Sequence, residues 1–126
     1  MDKPQTVTHN EWHIMELLWQ SPRTLMELVT LLAEQRGWAK STVTTMVRRM
    51  DTKGLITYTT QGRAKLFIPS VSREDAVLRE TNSLLQKAYH GSVGMLVSAM
   101  AHHSGLTQED IDELYAILKE AEAKKP

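Results

Sequence analysis

A chain of 126 residues, 41% hydrophobic and 24% charged, has the composition of one ordinary globular domain, or of a small domain with an appendage. It contains no cysteine, which excludes disulfides, thiolate metal sites and a cysteine nucleophile. The net charge is zero, yet residues 1–70 carry nine Lys/Arg against six Asp/Glu, and residues 71–126 carry six against nine. Between 36 and 65, seven basic residues face a single acid, Asp51, and this local asymmetry bears on partners more than the total does. The opening MDKPQTVTHNEW lacks the apolar run of an export signal, and no stretch approaches the roughly 20 apolar residues of a membrane span. A cytoplasmic chain without membrane insertion is therefore expected.

The first helix is predicted to start after Thr8, where Thr8-His9-Asn10-Glu11 has the form of a capping box and Val7 stands where a staple residue would. Trp12, Met15, Leu18 and Trp19 give it one apolar stripe, and Ser21-Pro22 ends it. A second capping box, Thr24 to Glu27, opens a helix to about Glu34 or Gln35 with Leu25, Leu28, Val29 and Leu32 inward, closed at Gly37. The third helix, KSTVTTMVRRM, turns Val43, Met46, Val47 and Met50 to one side. At 100° per residue, Ser41, Thr45, Arg48 and Thr52 point the other way, with Thr42 and Arg49 flanking on one edge and Thr44 on the other. Gly54 has the place of a C-cap. Alternation through Ile56–Thr60 and Ala64–Ile68, around Gln61-Gly62-Arg63, predicts a two-stranded hairpin closed by Pro69.

Helix, helix, helix and hairpin is the order of a winged helix-turn-helix, with the third helix as candidate recognition helix. The expected fold is mainly α: a winged helix-turn-helix over 1–70, then three helices over 71–126. Those three are read as Ser72 to about Tyr89, Ser92 to about Ala101, and a last helix capped by Thr107-Gln108-Glu109-Asp110. So few residues bury little alone, and a second copy is expected to complete them. Leu84, Leu85, Val93, Leu96, Val97, Met100, Ile111, Leu114, Tyr115 and Leu118 are the candidate dimerisation positions.

Nothing in the chain has the form of a catalytic site or a phosphate-binding glycine loop, and no cofactor is expected. His9 and His13 share a helix face without an evident third ligand, and adjacent His102 and His103 point about 100° apart. No metal site is assigned to either pair. The third helix has more to offer. Short hydroxyl side chains at its leading end can approach base edges or phosphates, and a Thr methyl can touch a thymine methyl. Ser41, Thr42, Thr44 and Thr45 are therefore the candidate base-reading residues. Lys40, Arg48, Arg49, Lys53, Arg63 and Lys65 are the candidate contacts to the DNA backbone, the last two from the wing.

These segments carry a resemblance. NEWHIMELLW, GWAKSTVTTMVRRMDTKGLI, KAYHGSVGMLV and LTQEDIDELYAIL, with the spacing of Trp12, Trp19, Trp38, Thr42 and Lys53-Gly54, resemble the penicillinase-repressor family of the BlaI/MecI/CopY type over roughly residues 8–122. The resemblance implies a homodimeric repressor of transcription, with its winged helix on a short inverted-repeat operator in double-stranded DNA and its C-terminal helices dimerising. It also implies that Ser41, Thr42, Thr44 and Thr45 meet bases and backbone. The copper-responsive branch senses through paired Cys-x-Cys motifs, which this chain lacks. The β-lactam-responsive branch, controlling antibiotic-resistance genes, is cut by a membrane sensor protease. The equivalent bond here is Ala99–Met100, where relatives carry Asn-Phe. Two alternatives stay open: a metal- or ligand-responsive repressor using His102 and His103, and a winged-helix module for protein contacts.

Overall fold

The computed structural model describes residues 6–126; the opening residues 1–5, part of the stretch read above as carrying no export signal, lie outside the described residues. The element order is α1 (His9–Gln20), β1 (Arg23–Thr24), α2 (Leu25–Arg36), α3 (Lys40–Lys53), β2 (Ile56–Gln61), β3 (Ala64–Pro69), α4 (Arg73–Tyr89), α5 (Val93–Ala99), a π-helical turn (Met100–Ser104) and α6 (Gln108–Ala123). The chain divides into two compact units, one running to Thr81 and one from Asn82, and the division falls inside α4.

In the first unit, local signals set the helix boundaries. Thr8 and Thr24 cap α1 and α2 with reciprocal capping boxes through Glu11 and Glu27. Gly54 ends α3 in the left-handed region at φ 81°, where its N–H and that of Leu55 reach the carbonyl of Met50. The apolar stripes of the three helices converge with the inner face of the hairpin. Ile14, Met15, Leu18, Leu28, Leu32, Val43, Met50 and Ile56 are at most 2% exposed, and Phe67 joins them. Each such side chain contributes roughly 1.5–3 kcal/mol of burial. The four inward positions expected of α3 are the four that are buried.

The hairpin is antiparallel, registered from Ile56↔Pro69 to Gln61↔Ala64, around a two-residue turn in which Gly62 has φ 65°. A third strand joins it. Arg23 and Thr24 pair antiparallel with Phe67 and Leu66, giving the sheet order β1-β3-β2. Two polar residues after a proline have no alternation to reveal a strand; the partner strand creates it. After the hairpin, Trp19 donates its indole N–H to the Val71 carbonyl at 2.9 Å, and Arg73 bonds both oxygens of Glu16 at 2.9 and 3.2 Å. Val71 and Ala76 belong to the same core, so the first turn of α4 packs with the winged helix.

The unit from Asn82 is built differently. Ser92 caps α5, and Thr107 with Asp110 forms a capping box on α6. The expected helix from Ser92 to about Ala101 is α-helical only to Ala99, and residues 100–104 form the π turn. In that turn the ring Nδ1 of His102 lies 2.7 Å from the Ser98 carbonyl, the acceptor that an α-helix would offer to the His102 main chain. No residue of α5 or α6 is buried. Tyr115, Leu118 and Val93 are 67%, 63% and 61% exposed, and Leu84 and Met100 are also exposed; Leu85, Leu96, Val97, Ile111 and Leu114 are half-buried. No helix among the described residues is long and apolar enough to cross a membrane.

Candidate nucleic-acid interface

The outward side of α3 presents a ridge with a hollow on either flank. Ser41, Thr42, Thr45, Arg48 and Arg49 are exposed along it, and Thr44 is half-buried. One hollow, of about 450 Å³, lies between α3 and the first turn of α1; Asn10, Glu11, Ser41, Thr42, Thr45 and Arg49 are among its walls. The other, of about 470 Å³, lies between α3 and the wing, with Thr24, Met26, Thr44, Arg48, Arg63 and Lys65 in its lining together with Asp51. The split follows helix geometry: Thr42 and Arg49 are seven residues apart and share one edge, while Thr44 and Arg48 share the other.

The leading end of α3 differs from the other helix starts. Ala39 is its N-cap, no side chain accepts a hydrogen bond from its first turn, and that turn holds no acid. Side-chain oxygens serve that purpose at α1, α2, α4, α5 and α6. An uncapped first turn leaves main-chain N–H groups and the positive end of the helix dipole facing outward. The Thr44 hydroxyl donates to the Lys40 carbonyl at 2.9 Å, so toward a ligand it offers a methyl and an acceptor.

The structure separates the basic residues into two groups. Lys40, Arg48, Arg49 and Arg63 are exposed and make no ion pair among the described residues. Lys65, also exposed, lays its ammonium 4.4 Å from the centre of the Tyr58 ring, which directs it along the inner face of the wing. Lys53 is turned elsewhere. Its ammonium lies 2.8 and 3.1 Å from the two carboxylate oxygens of Glu11, which is 2% exposed. Burial pushes the Glu11 carboxyl up, but the Lys53 hydrogen bond, the Thr8 N–H at 3.0 Å and the Lys53 charge together hold it below the ordinary carboxylate range. Arg36, counted in the basic stretch, donates to His13 Nδ1 at 2.9 Å. Burial, the Arg36 charge and His9 hold the His13 ring below the ordinary imidazole range, as a ring nitrogen that accepts from a guanidinium must be unprotonated.

Sequence reasoning missed Asn10 and the second duty of Glu11. Glu11 was fully explained as a capping-box residue, and its 42-residue separation from Lys53 left no periodic trace. His102 and His103 lie in the π turn of the second unit.

Comparison with known proteins agrees with the fold and with its lettering. The chain is 27% identical over 126 residues to the penicillinase repressor of Bacillus licheniformis, covering 99% of this chain and 98% of that protein. It is 24% identical over 118 residues to the methicillin resistance regulatory protein MecI of Mammaliicoccus sciuri, covering 93% and 96%. Among solved structures, the DNA-binding domain of the repressor BlaI superposes with a TM-score of 0.53 at 24% identity, over 60% of this chain and 93% of that one. The monomeric form of Bacillus licheniformis BlaI in complex with the blaP half-operator gives 0.52 at 25% identity over the same shares. The sequence model for the penicillinase repressor matches residues 7–120 in one span across both units, and the chain belongs to that family.

Proposed function

We propose that this chain is a DNA-binding transcriptional repressor that acts as a homodimer in the cytoplasm, a binding protein and not an enzyme. The observation that carries the reading is the outward side of α3, where hydroxyl side chains follow an uncapped helix start and Arg48 and Arg49 make no ion pair among the described residues. On this reading residues 1–70, closed by Val71 and the first turn of α4, bind DNA, and the helices of the remainder of 71–126 dimerise. Each α3 enters a major groove, and the half-sites stand about one helical turn, ~34 Å, apart. Ser41, Thr42, Thr44 and Thr45 discriminate bases. Lys40, Arg48, Arg49, Arg63 and Lys65 meet the backbone and supply the salt-dependent part of affinity. Lys53, assigned to the backbone on sequence alone, is left out because its ammonium is held by Glu11. The blaP half-operator bound by the BlaI relative supports DNA as the partner, and the exposed apolar positions of α4–α6 support a second copy.

The test is fluorescence anisotropy with a duplex from the region upstream of the protein's own gene, against a shuffled duplex. Specific binding at least a hundredfold tighter than shuffled is expected at physiological salt. Equal affinity for both would leave only a non-specific basic face.

A regulatory step belongs to the same reading: a membrane sensor protease cutting at Ala99–Met100. In this chain that bond joins the last residue of α5 to the first of the π turn, a change of helical register of the kind often placed at functional sites. Mass spectrometry of the chain from induced cells should return a fragment ending at Ala99; an intact chain under induction would place the signal elsewhere.

A further inference from the structure

We propose that the hollow between the first turn of α1 and α3 is a seat for one DNA backbone phosphate, held by Asn10 from one wall and by Arg49 from the other, and that Lys53 serves it by neutralising the acid beneath. The proposal rests on the DNA-binding reading and extends the interface from the recognition helix to the first turn of α1.

Three observations carry it. The first is shape and lining: the hollow is open, about 450 Å³, and walled by amide, hydroxyl and guanidinium groups. The second is the position of the cation. Arg49 makes no ion pair among the described residues and shares an edge of α3 with Thr42, so a guanidinium and a hydroxyl reach the hollow from the same side. The third is the masking of charge. Glu11 is the one acid in the lining, and a bare carboxylate there would repel a phosphate. It is 2% exposed and is met at 2.8 and 3.1 Å by the ammonium of Lys53, which is not itself in the lining, so its charge is offset by a cation outside the hollow. The wing-side hollow lacks this arrangement: Asp51 in its lining is exposed and forms no ion pair among the described residues. Lys53 thus becomes a positioning residue, acting through Glu11.

Affinity for the upstream duplex and for a shuffled duplex would be measured by anisotropy, each variant first shown to be folded by circular dichroism at the assay temperature. Asn10→Asp places a charge in the seat and should weaken both duplexes roughly tenfold at low salt, less as salt rises. Lys53→Met should weaken both, and adding Glu11→Gln should restore them to within about threefold of wild type, because glutamine keeps the capping bond without the charge. Failure of Glu11→Gln to rescue would mean that Lys53 touches DNA itself, and unchanged affinity of Asn10→Asp would mean that the seat is empty; either overturns the proposal. Single neutral methylphosphonate substitutions locate the phosphate: at one position per half-site wild type and Asn10→Asp should converge, and no such position would sink the idea. A wild type that bound neither duplex would remove the DNA reading and the seat with it, whereas loss of the seat alone leaves wild-type binding intact.

Discussion

Replacing Lys53 by methionine keeps the side-chain stem and removes the ammonium. Among the described residues the Glu11 carboxylate would then keep Thr8, whose N–H donates to it at 3.0 Å, in a position 2% exposed. Removing one partner of a fully buried ion pair costs about 3–5 kcal/mol. The Lys53 side chain is 21% exposed, so water can reach the carboxylate from its side, and screening brings the cost to about 2 kcal/mol. For a unit of this size that lowers Tm by roughly 10 °C. The pH dependence separates charge from packing. In the wild type the folded carboxyl titrates below its unfolded value, so its stabilisation is present above the unfolded pKa and lost as pH falls through the folded one. Without Lys53 two of the influences that lower the carboxyl are gone while burial still raises it, so it titrates above its wild-type position, and the difference between the two proteins fades as the group protonates on acidification. Thermal unfolding followed by circular dichroism from about pH 7 to about pH 4 should show the gap between the two proteins narrowing, and Glu11→Gln in the variant should close most of it. A gap constant with pH would refute the electrostatic account and leave a packing defect.

Arg49→Ala should weaken binding to specific and shuffled duplexes alike and reduce the slope of log affinity against log salt by about 0.9, read by anisotropy over a salt series. Thr45→Ala should leave that slope unchanged and lose roughly fivefold to tenfold of discrimination at one or two base pairs per half-site, measured with a panel of single-substituted duplexes. Leu118→Lys changes a residue 63% exposed in one chain and should cost the protomer little, yet light scattering should show the mass fall from twice to once the 14.3 kDa of a chain. A dimer that survived it would place the contact on another face.

Local signals made the first unit legible. The two threonine capping boxes, the glycine at the end of α3 and the 3.6-residue stripes are each written within about eight neighbouring residues, and the structure reproduces them. The facing of α3 was legible too, down to the edge shared by Thr42 and Arg49, because helix geometry alone sets it. What stayed hidden depends on distant partners. The strand at Arg23–Thr24 exists because β3 is beside it, and the charge of Lys53 is cancelled by a residue 42 positions earlier. The π turn was hidden for a subtler reason. It coincides with a side-chain contact, the His102 ring 2.7 Å from the Ser98 carbonyl, and no periodicity records that.

The same contrast bears on how a repressor of this design would switch. The winged helix has a core of its own, with Ile14, Leu28, Val43 and Met50 fully buried. The unit from Asn82 buries no residue of α5 or α6, although it is rich in leucine, valine and methionine. A contiguous exposed apolar surface is the mark of an interaction site. If a second copy covers it, dimerisation orders the C-terminal helices and also makes the second half-site contact intramolecular, at an effective concentration near millimolar for a short tether. Each reading head can then bind its half-site weakly and still give tight repression as a pair. Separating the pair returns each head to its weak intrinsic affinity without altering one residue of the DNA-binding face. A cut at Ala99–Met100 would remove α6 and with it Ile111, Leu114, Tyr115 and Leu118. Release would thus follow from loss of the tether alone, and the severed head should keep the base preferences and salt slope of the intact chain while losing its affinity for paired half-sites.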